Sequence, residues 1–423
     1  MPRIDPALTV DDLRSNAVLP FEPAQALPPG AGSPYGPALP FGSPAYAQRD
    51  ARDLTPGSVP RAAGPIAGRR VTGSLAPAQR FLLRVPDAWN GRLVVAGCPG
   101  QRSEYACDLL FGDLLLARGY AYMASNKGQG DGAVLLAPDA RLEVEGVALP
   151  RFMLSGGHAL SFWQHAPGHT LDAWRSEYIA IAETACERLA ALCGREPEAV
   201  YAVGLSNGGY EVRRAIETSD LFAGALTWNA VLWTPQHNLL AYLPAAIEAL
   251  EAGRPQALVD LGIPPDVTSS AGASLYARNL RTYYTVTAWL HAMQLDPETS
   301  IAYGDTRDAN AAETWQARIG TWRLDRSPQI AQRIATFANT GAIRCKLIEI
   351  AAEYDHLVPP ALNDRPYRDL IASAGAQQFH RSSVVPFAQH VDSWSESPDY
   401  PQMRPAYRNV WAAFDELVDW VEG

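Results

Sequence analysis

Residues 199–209 read Ala-Val-Tyr-Ala-Val-Gly-Leu-Ser-Asn-Gly-Gly, an apolar run that empties into a glycine-flanked serine. Glycine at −2 and +2 from Ser206, with a strand before and a helix after, fits a turn too sharp for larger residues at those places. Such a turn lifts the hydroxyl to the positive end of the following helix, where a developing anion is favoured. Ser206 is the candidate nucleophile. An alcohol needs a base, and the base needs a carboxylate to orient it. Both are expected downstream, beyond strand ends, in the order serine, acid, histidine. The apolar run Lys346–Ala351 leads into Glu353-Tyr354-Asp355-His356-Leu357-Val358-Pro359-Pro360, which makes Asp355 the candidate acid. Glu353 is its rival, and capping of the next helix is the plain structural alternative for Asp355.

Eight histidines compete for the base. His158, His165 and His169 precede the serine, while His237 and His291 lie in or beside a long insertion. His380 precedes the last strand, and His356 adjoins the acid. His390 follows the strand expected at Ser382–Phe387 by three residues and alone has both the order and the place.

A tetrahedral intermediate needs preorganised N–H donors. The amide of Asn207 is the first, and the second belongs to the loop Gly97-Cys98-Pro99-Gly100-Gln101. Pro99 has no N–H. Cys98 is the preferred donor, with Gly100 or Gln101 behind it. Candidate substrate-binding residues are Gln101, Lys127, Trp163, Trp228 and Trp233. Lys127 is one of only two lysines among 35 basic residues, in a loop expected on the catalytic face. Its compact ammonium suits a substrate carboxylate, or it holds neighbouring loops through their carbonyls. The tryptophans either line a pocket or form core. No histidine, cysteine or carboxylate spacing completes a metal set, and no Gly-rich phosphate loop follows a strand, so no metal and no cofactor are expected.

The elements that must position these groups alternate between strand and helix. Arg69–Leu75 and Arg80–Val85 read as an antiparallel pair, with further strands at Arg92–Ala96, Tyr120–Ala124, Ala199–Val203, Ala223–Trp228, Cys345–Ala351 and Ser382–Phe387. Helical spacing covers Cys107–Arg118, Leu171–Leu192, Tyr210–Thr218 and Ala406–Val421. The pattern predicts an α/β protein, its mostly parallel sheet flanked by helices. Residues 1–68 form a proline-rich arm; 13 of the 34 prolines fall before residue 66. The catalytic core is expected at 69–231 and 341–423, with a helical lid inserted at 232–340.

The sequence GLSNGG, then YDHLVPP, then a late QH, resembles the α/β-hydrolase superfamily. The loop YAYMASNKGQG is similar to the corresponding segment of 3-hydroxybutyrate-oligomer hydrolases and to the looser tannase and feruloyl-esterase group. The tannase-type elbow has Cys before its serine, whereas this chain has Leu205. A Ser-Asn-Gly-Gly elbow also occurs in prolyl-oligopeptidase-type peptidases, but the region ahead of residue 90 is far too short for their β-propeller. The resemblance implies a serine hydrolase acting on a small-molecule or oligomeric carboxylic ester. An amidase or peptidase with the same triad, and a non-catalytic ligand-binding protein, are the alternatives.

Composition narrows the partners. The 423 residues carry a formal charge of −10 and are 47% hydrophobic, which fits a globular chain. That balance argues against nucleic acid or an anionic membrane as partner. No 18-residue apolar span and no signal peptide are visible, so a cytoplasmic protein is expected; a trimmed secreted or periplasmic form would read the same. The five cysteines read as mostly buried thiols rather than a disulfide framework.

Overall fold

The computed structural model describes residues 9–13, 54–60, 66–75, 79–100, 102–127, 143–144, 147–148, 171–267, 276–277, 280, 328–396, 398 and 400–423. Nine strands form one sheet: β1 (Thr9–Leu13), β2 (Gly68–Ser74), β3 (Arg80–Pro86), β4 (Arg92–Gly97), β5 (Ala121–Ser125), β8 (Ala199–Leu205), β9 (Gly224–Trp228), β10 (Lys346–Ala352) and β11 (His380–Val385). A separate antiparallel ribbon pairs β6 (Glu143–Val144) with β7 (Val147–Ala148). The sheet order is β1-β2-β3-β5-β4-β8-β9-β10-β11. From β5 to β11 every pairing is parallel, whereas β3 runs against both β2 and β5.

The central strands are apolar on both faces because both faces are covered. On β4, Val94 and Ala96 join one core with Tyr201 and Val203 of β8, while Leu93 and Val95 join another with Val200 and Ala202. The first core is closed by α1 (Asp113–Ala117) and α8 (Tyr407–Glu422), through Leu115, Leu116, Phe414 and Leu417. The second is closed by α2 (Leu171–Cys193), α3 (Asn207–Thr218) and α7 (Asp364–Ser373), through Ile181, Ala185, Val212, Ile216 and Ile371. Among the described residues, no helix is long and apolar enough to cross a membrane.

Between β9 and β10 the described residues include α4 (Leu239–Glu251), α5 (Pro255–Asp260) and α6 (Pro328–Phe337). These helices share a third core with Trp233, Leu357 and Val358. Asn238 caps α4, its side chain accepting from the amide of Ala241 at 3.0 Å.

Three local differences from the sequence reading have physical causes. Thr9–Leu13, inside the proline-rich arm, is proline-free and adds an edge strand to β2. The helix expected at 107–118 opens instead with a π-turn over Asp108–Gly112, where Gly112 N–H reaches Cys107 O at 3.3 Å. The turn opens around buried Arg84, which bonds Asp108 at 2.5 Å, and a Cβ on Gly112 would meet that guanidinium at 2.4 Å. Helix α3 begins at Asn207, three residues earlier than its apolar periodicity suggests, because the glycine pair packs rather than breaks the helix.

Candidate active site

The site gathers at the carboxyl ends of the parallel strands. Ser206 follows β8 with φ 59° and ψ −120°, a conformation that costs a non-glycine residue about 1–3 kcal/mol. Its backbone is held from three sides. The Ser206 amide donates to Trp228 O at 2.9 Å, and its carbonyl accepts from Tyr210 and Val231 at 3.2 and 3.1 Å. The flanking glycines are required by packing. A Cβ on Gly204 would stand 2.3 Å from Gly208 O, and one on Gly208 would stand 2.0 Å from Gly97 O and 2.9 Å from Cys98 N. Gly97 and Gly204 are register partners on β4 and β8, so the first turn of α3 seats directly on both strand ends. The same seating brings the Cys98 amide against the helix that starts at Asn207.

Asp355 and His390 complete the arrangement. His390 Nε2 lies 3.1 Å from Ser206 Oγ, and its Nδ1 lies 2.7 Å from Asp355 Oδ2. The other carboxylate oxygen, Oδ1, accepts the amides of Leu357 and Val358 at 2.9 and 2.8 Å. All three residues are buried, Asp355 completely. Glu353 takes a different role: its carboxylate accepts the amide of Phe387 at 3.0 Å, away from the imidazole. His380 is the first residue of β11, where its Nε2 lies 3.0 Å from buried Glu349.

One residue of this centre escapes sequence reasoning. Asn229 follows β9 with φ 48°. Its side-chain oxygen accepts Ala352 N–H at 2.7 Å, and its side-chain nitrogen donates to His390 O at 2.9 Å. Its own amide donates to Ile350 O at 2.8 Å. Asn229 therefore pins the histidine loop to the end of the acid strand, one residue after the carbonyl that holds Ser206. The available signal was an asparagine immediately after a buried strand, the residue type that best tolerates positive φ apart from glycine.

A second link joins the two loops. His356 Nδ1 lies 3.1 Å from Gln389 Oε1, so the residue after the acid contacts the residue before the base. The His356 ring stacks on Trp394 at 5.4 Å and tilts against Tyr276 at 5.0 Å. Burial pushes its pKa down to about 4, with His390 acting the same way and Asp355 against both. His356 is neutral at pH 7.

The remaining candidates divide. Lys127, with φ 61°, is buried to 1% exposure. Its Nζ donates to Gly100 O at 2.8 Å, stands 3.9 Å from Glu211 Oε2 and lies 5.1 Å from the centre of the Trp174 ring. The described contacts of the ammonium are thus to protein groups. Burial drives the Glu211 carboxyl well above its ordinary pKa, Glu177 adding to this and Lys127 opposing it. Trp228 corrects its pocket assignment: its ring packs with Tyr201, Val203 and Ile350 in the core facing α8, and only its carbonyl serves the site. Trp233 lines a narrow cleft with Asn207, Val231, Leu239, Tyr242, Leu357 and Val358. Gln101 and Trp163 lie outside the described residues, as do His158, His165, His169 and His291. Among the described residues, no group of three or more His, Cys, Asp or Glu side chains is placed to hold a metal ion.

Beneath the site, Arg213 of α3 ties the loops to the sheet. Its guanidinium bonds Glu349 at 2.8 Å and the carbonyls of Ala230 and Val231 at 3.2 and 3.3 Å. Burial alone would raise the Glu349 pKa, but Arg213, His380 and Thr227 overcome it and hold the carboxyl at about 2.

The strand order β2-β3-β5-β4-β8-β9-β10-β11, with β3 antiparallel and the serine turn after β8, is that of the α/β-hydrolase fold. No protein-family model matches the sequence, and no curated protein matches it. Among solved structures, the chain is similar to LipA, a rice cell wall degrading esterase from Xanthomonas oryzae. The identity is 13% over 89% of this chain and 96% of that one, with a TM-score of 0.47. It is similar to feruloyl esterase B from Aspergillus oryzae at 13% identity, over 85% of this chain and 81% of that one, TM-score 0.47. It is also similar to the acylaminoacyl peptidase of Pyrococcus horikoshii at 14% identity, TM-score 0.42. That match covers 83% of this chain but only 41% of the peptidase, about two fifths of its length. At such identities the fold assignment rests on the strand order and the serine turn.

Proposed function

We propose that this protein is a serine hydrolase that cleaves a carboxylic ester through an acyl-enzyme. The observation that carries the reading is the continuous relay from Ser206 Oγ to His390 at 3.1 Å and on to Asp355 at 2.7 Å, mounted on a strained turn. His390 Nε2 takes the hydroxyl proton as Ser206 Oγ bonds the carbonyl carbon. The oxyanion is held by the amides of Asn207 and Cys98. When the intermediate collapses, the alcohol leaves with the proton from His390. A water then gives its proton to His390 and attacks the acyl carbon, and the second collapse returns a proton to Ser206 and frees the acid. Asp355 keeps the imidazole oriented and stabilises its charged form. This chemistry needs the chain's own side chains, backbone amides and water.

The preference for ester over amide follows the loop resemblance to oligoester and aromatic-ester hydrolases. Val231, Trp233, Leu239 and Leu357 line a small cleft beside Asn207. Turnover of activated p-nitrophenyl esters tests the reading. Ser206→Ala is expected to lose about 10³-fold or more in kcat; full turnover in that variant would refute it. A matched anilide cleaved as fast as the ester would move the assignment to an amidase.

A further inference from the structure

Lys127 is a buried cation that the relay does not use, and its contacts fall on both halves of the oxyanion site. One is the carbonyl of Gly100, two residues beyond Cys98 in the loop after β4. The other is the carboxyl of Glu211, one helical turn beyond Asn207 on α3. Its backbone is fixed as well: the positive φ is supported by the Lys127 amide donating to Ser125 Oγ at 3.2 Å. Gly100 has φ 50°, and among the described residues no heavy atom lies within 4 Å of a Cβ built there. Cys98 is packed in the core, whereas Gly100 is held through its carbonyl, and a charge-assisted hydrogen bond is the stronger kind.

We propose that Lys127 is a positioning residue for the oxyanion site, its ammonium fixing the Cys98–Gly100 loop relative to the helix that carries Asn207. The proposal rests on the serine-hydrolase reading. It differs from a substrate contact in one measurable respect: the ammonium acts on the geometry of the amide donors, so its loss is felt where the oxyanion forms. A substrate-binding lysine would show in KM. An oxyanion-positioning lysine shows in kcat and in the affinity for tetrahedral mimics.

The test is Lys127→Met, assayed with a p-nitrophenyl ester and with a trifluoromethyl ketone inhibitor whose hemiketal oxyanion occupies the site. Misplacement of a catalytic group by an ångström costs about 10²-fold. The expected result is a kcat loss of about that size, KM within about threefold, and a matching loss of inhibitor affinity. Wild-type kcat in folded K127M overturns the proposal. So does a loss carried entirely by KM, or a kcat loss with inhibitor affinity intact. K127M leaves the Glu211 carboxyl buried beside an apolar chain, so the double variant K127M/E211Q, which removes both ionisable groups, is read by the same criteria if the single variant fails to fold. Fluorophosphonate labelling of wild-type Ser206 is scored separately: absence of that adduct counts against the hydrolase reading, whereas a labelled wild type with unaltered K127M counts against the lysine alone.

Discussion

At the scale of residues, backbone strain marks the site. Among the described residues, the four non-glycine positions with positive φ are Lys127, Ser206, Asn229 and Phe387, and each follows the carboxyl end of a strand within two residues. Ser206 and Asn229 belong to the serine turn and its brace, and Lys127 bonds the Gly100 carbonyl. Ser206, Asp355 and His390 were legible because order, spacing and strand ends leave few choices. Asn229 was not, and for Lys127 a carbonyl contact was one of two readings, without Gly100 as the partner. Hydrogen bonds between residues 123 or 27 positions apart depend on strand register and loop path, which composition does not encode. His356 carries a prediction at this scale. Its pKa falls from 6.5 to about 4 on burial, so the unfolded chain takes up a proton at higher pH than the folded one. Its contribution is complete above about pH 6.5 and drains away as pH falls toward 4. A shift of this size corresponds to about 3 kcal/mol. Denaturant unfolding at pH 7 and pH 4 should therefore show His356→Phe, which keeps the ring but not the titration, losing less stability than wild type by about that amount. Parallel losses would exclude the assignment.

At the scale of elements, the strands were readable because two covered faces demand continuous apolar runs. The limits of the eight expected strands fall within two residues of the observed ones, while β1, β6 and β7 were not expected. Helix α3 was only partly readable, since Gly208 and Gly209 oppose helix formation locally while the close approach to Gly97 and Ala230 demands them. Gly208→Ala separates the two effects. In a free helix that change would stabilise, but here the new Cβ meets Gly97 O at 2.0 Å, backbone against backbone. The variant is expected to lose about 1–3 kcal/mol and about 10²-fold or more in kcat, as the Asn207 turn is pushed off the end of β4. Gly194→Ala is the control: it follows α2 at φ 72°, with nothing described near its Cβ, and should cost about 1 kcal/mol of backbone strain with activity unchanged. Equal activity in the two variants would contradict the packing account.

At the scale of the whole molecule, one sheet orders everything the chemistry requires. The serine, acid and histidine are separated by 149 and 35 residues in sequence, and adjacent strands β8, β9, β10 and β11 deliver them to one rim. The alternation of strand and helix announced that architecture. The division of labour inside it was less visible: Trp228 ends β9 and lies in the core facing α8, while Trp233, five residues on, lies in the core of the inserted helices and borders the cleft. The face of Trp228 follows parity along β9, fixed only once the register is known, whereas Trp233 lies in the loop beyond the strand and is placed by the loop path. The central claim is that Ser206 is a nucleophile activated in the folded protein. Reaction with a fluorophosphonate followed by peptide mass mapping tests it most directly. A single adduct on Ser206, abolished by unfolding and by His390→Ala, is the predicted result. A folded protein that forms no adduct, or forms one on another residue, would contradict it.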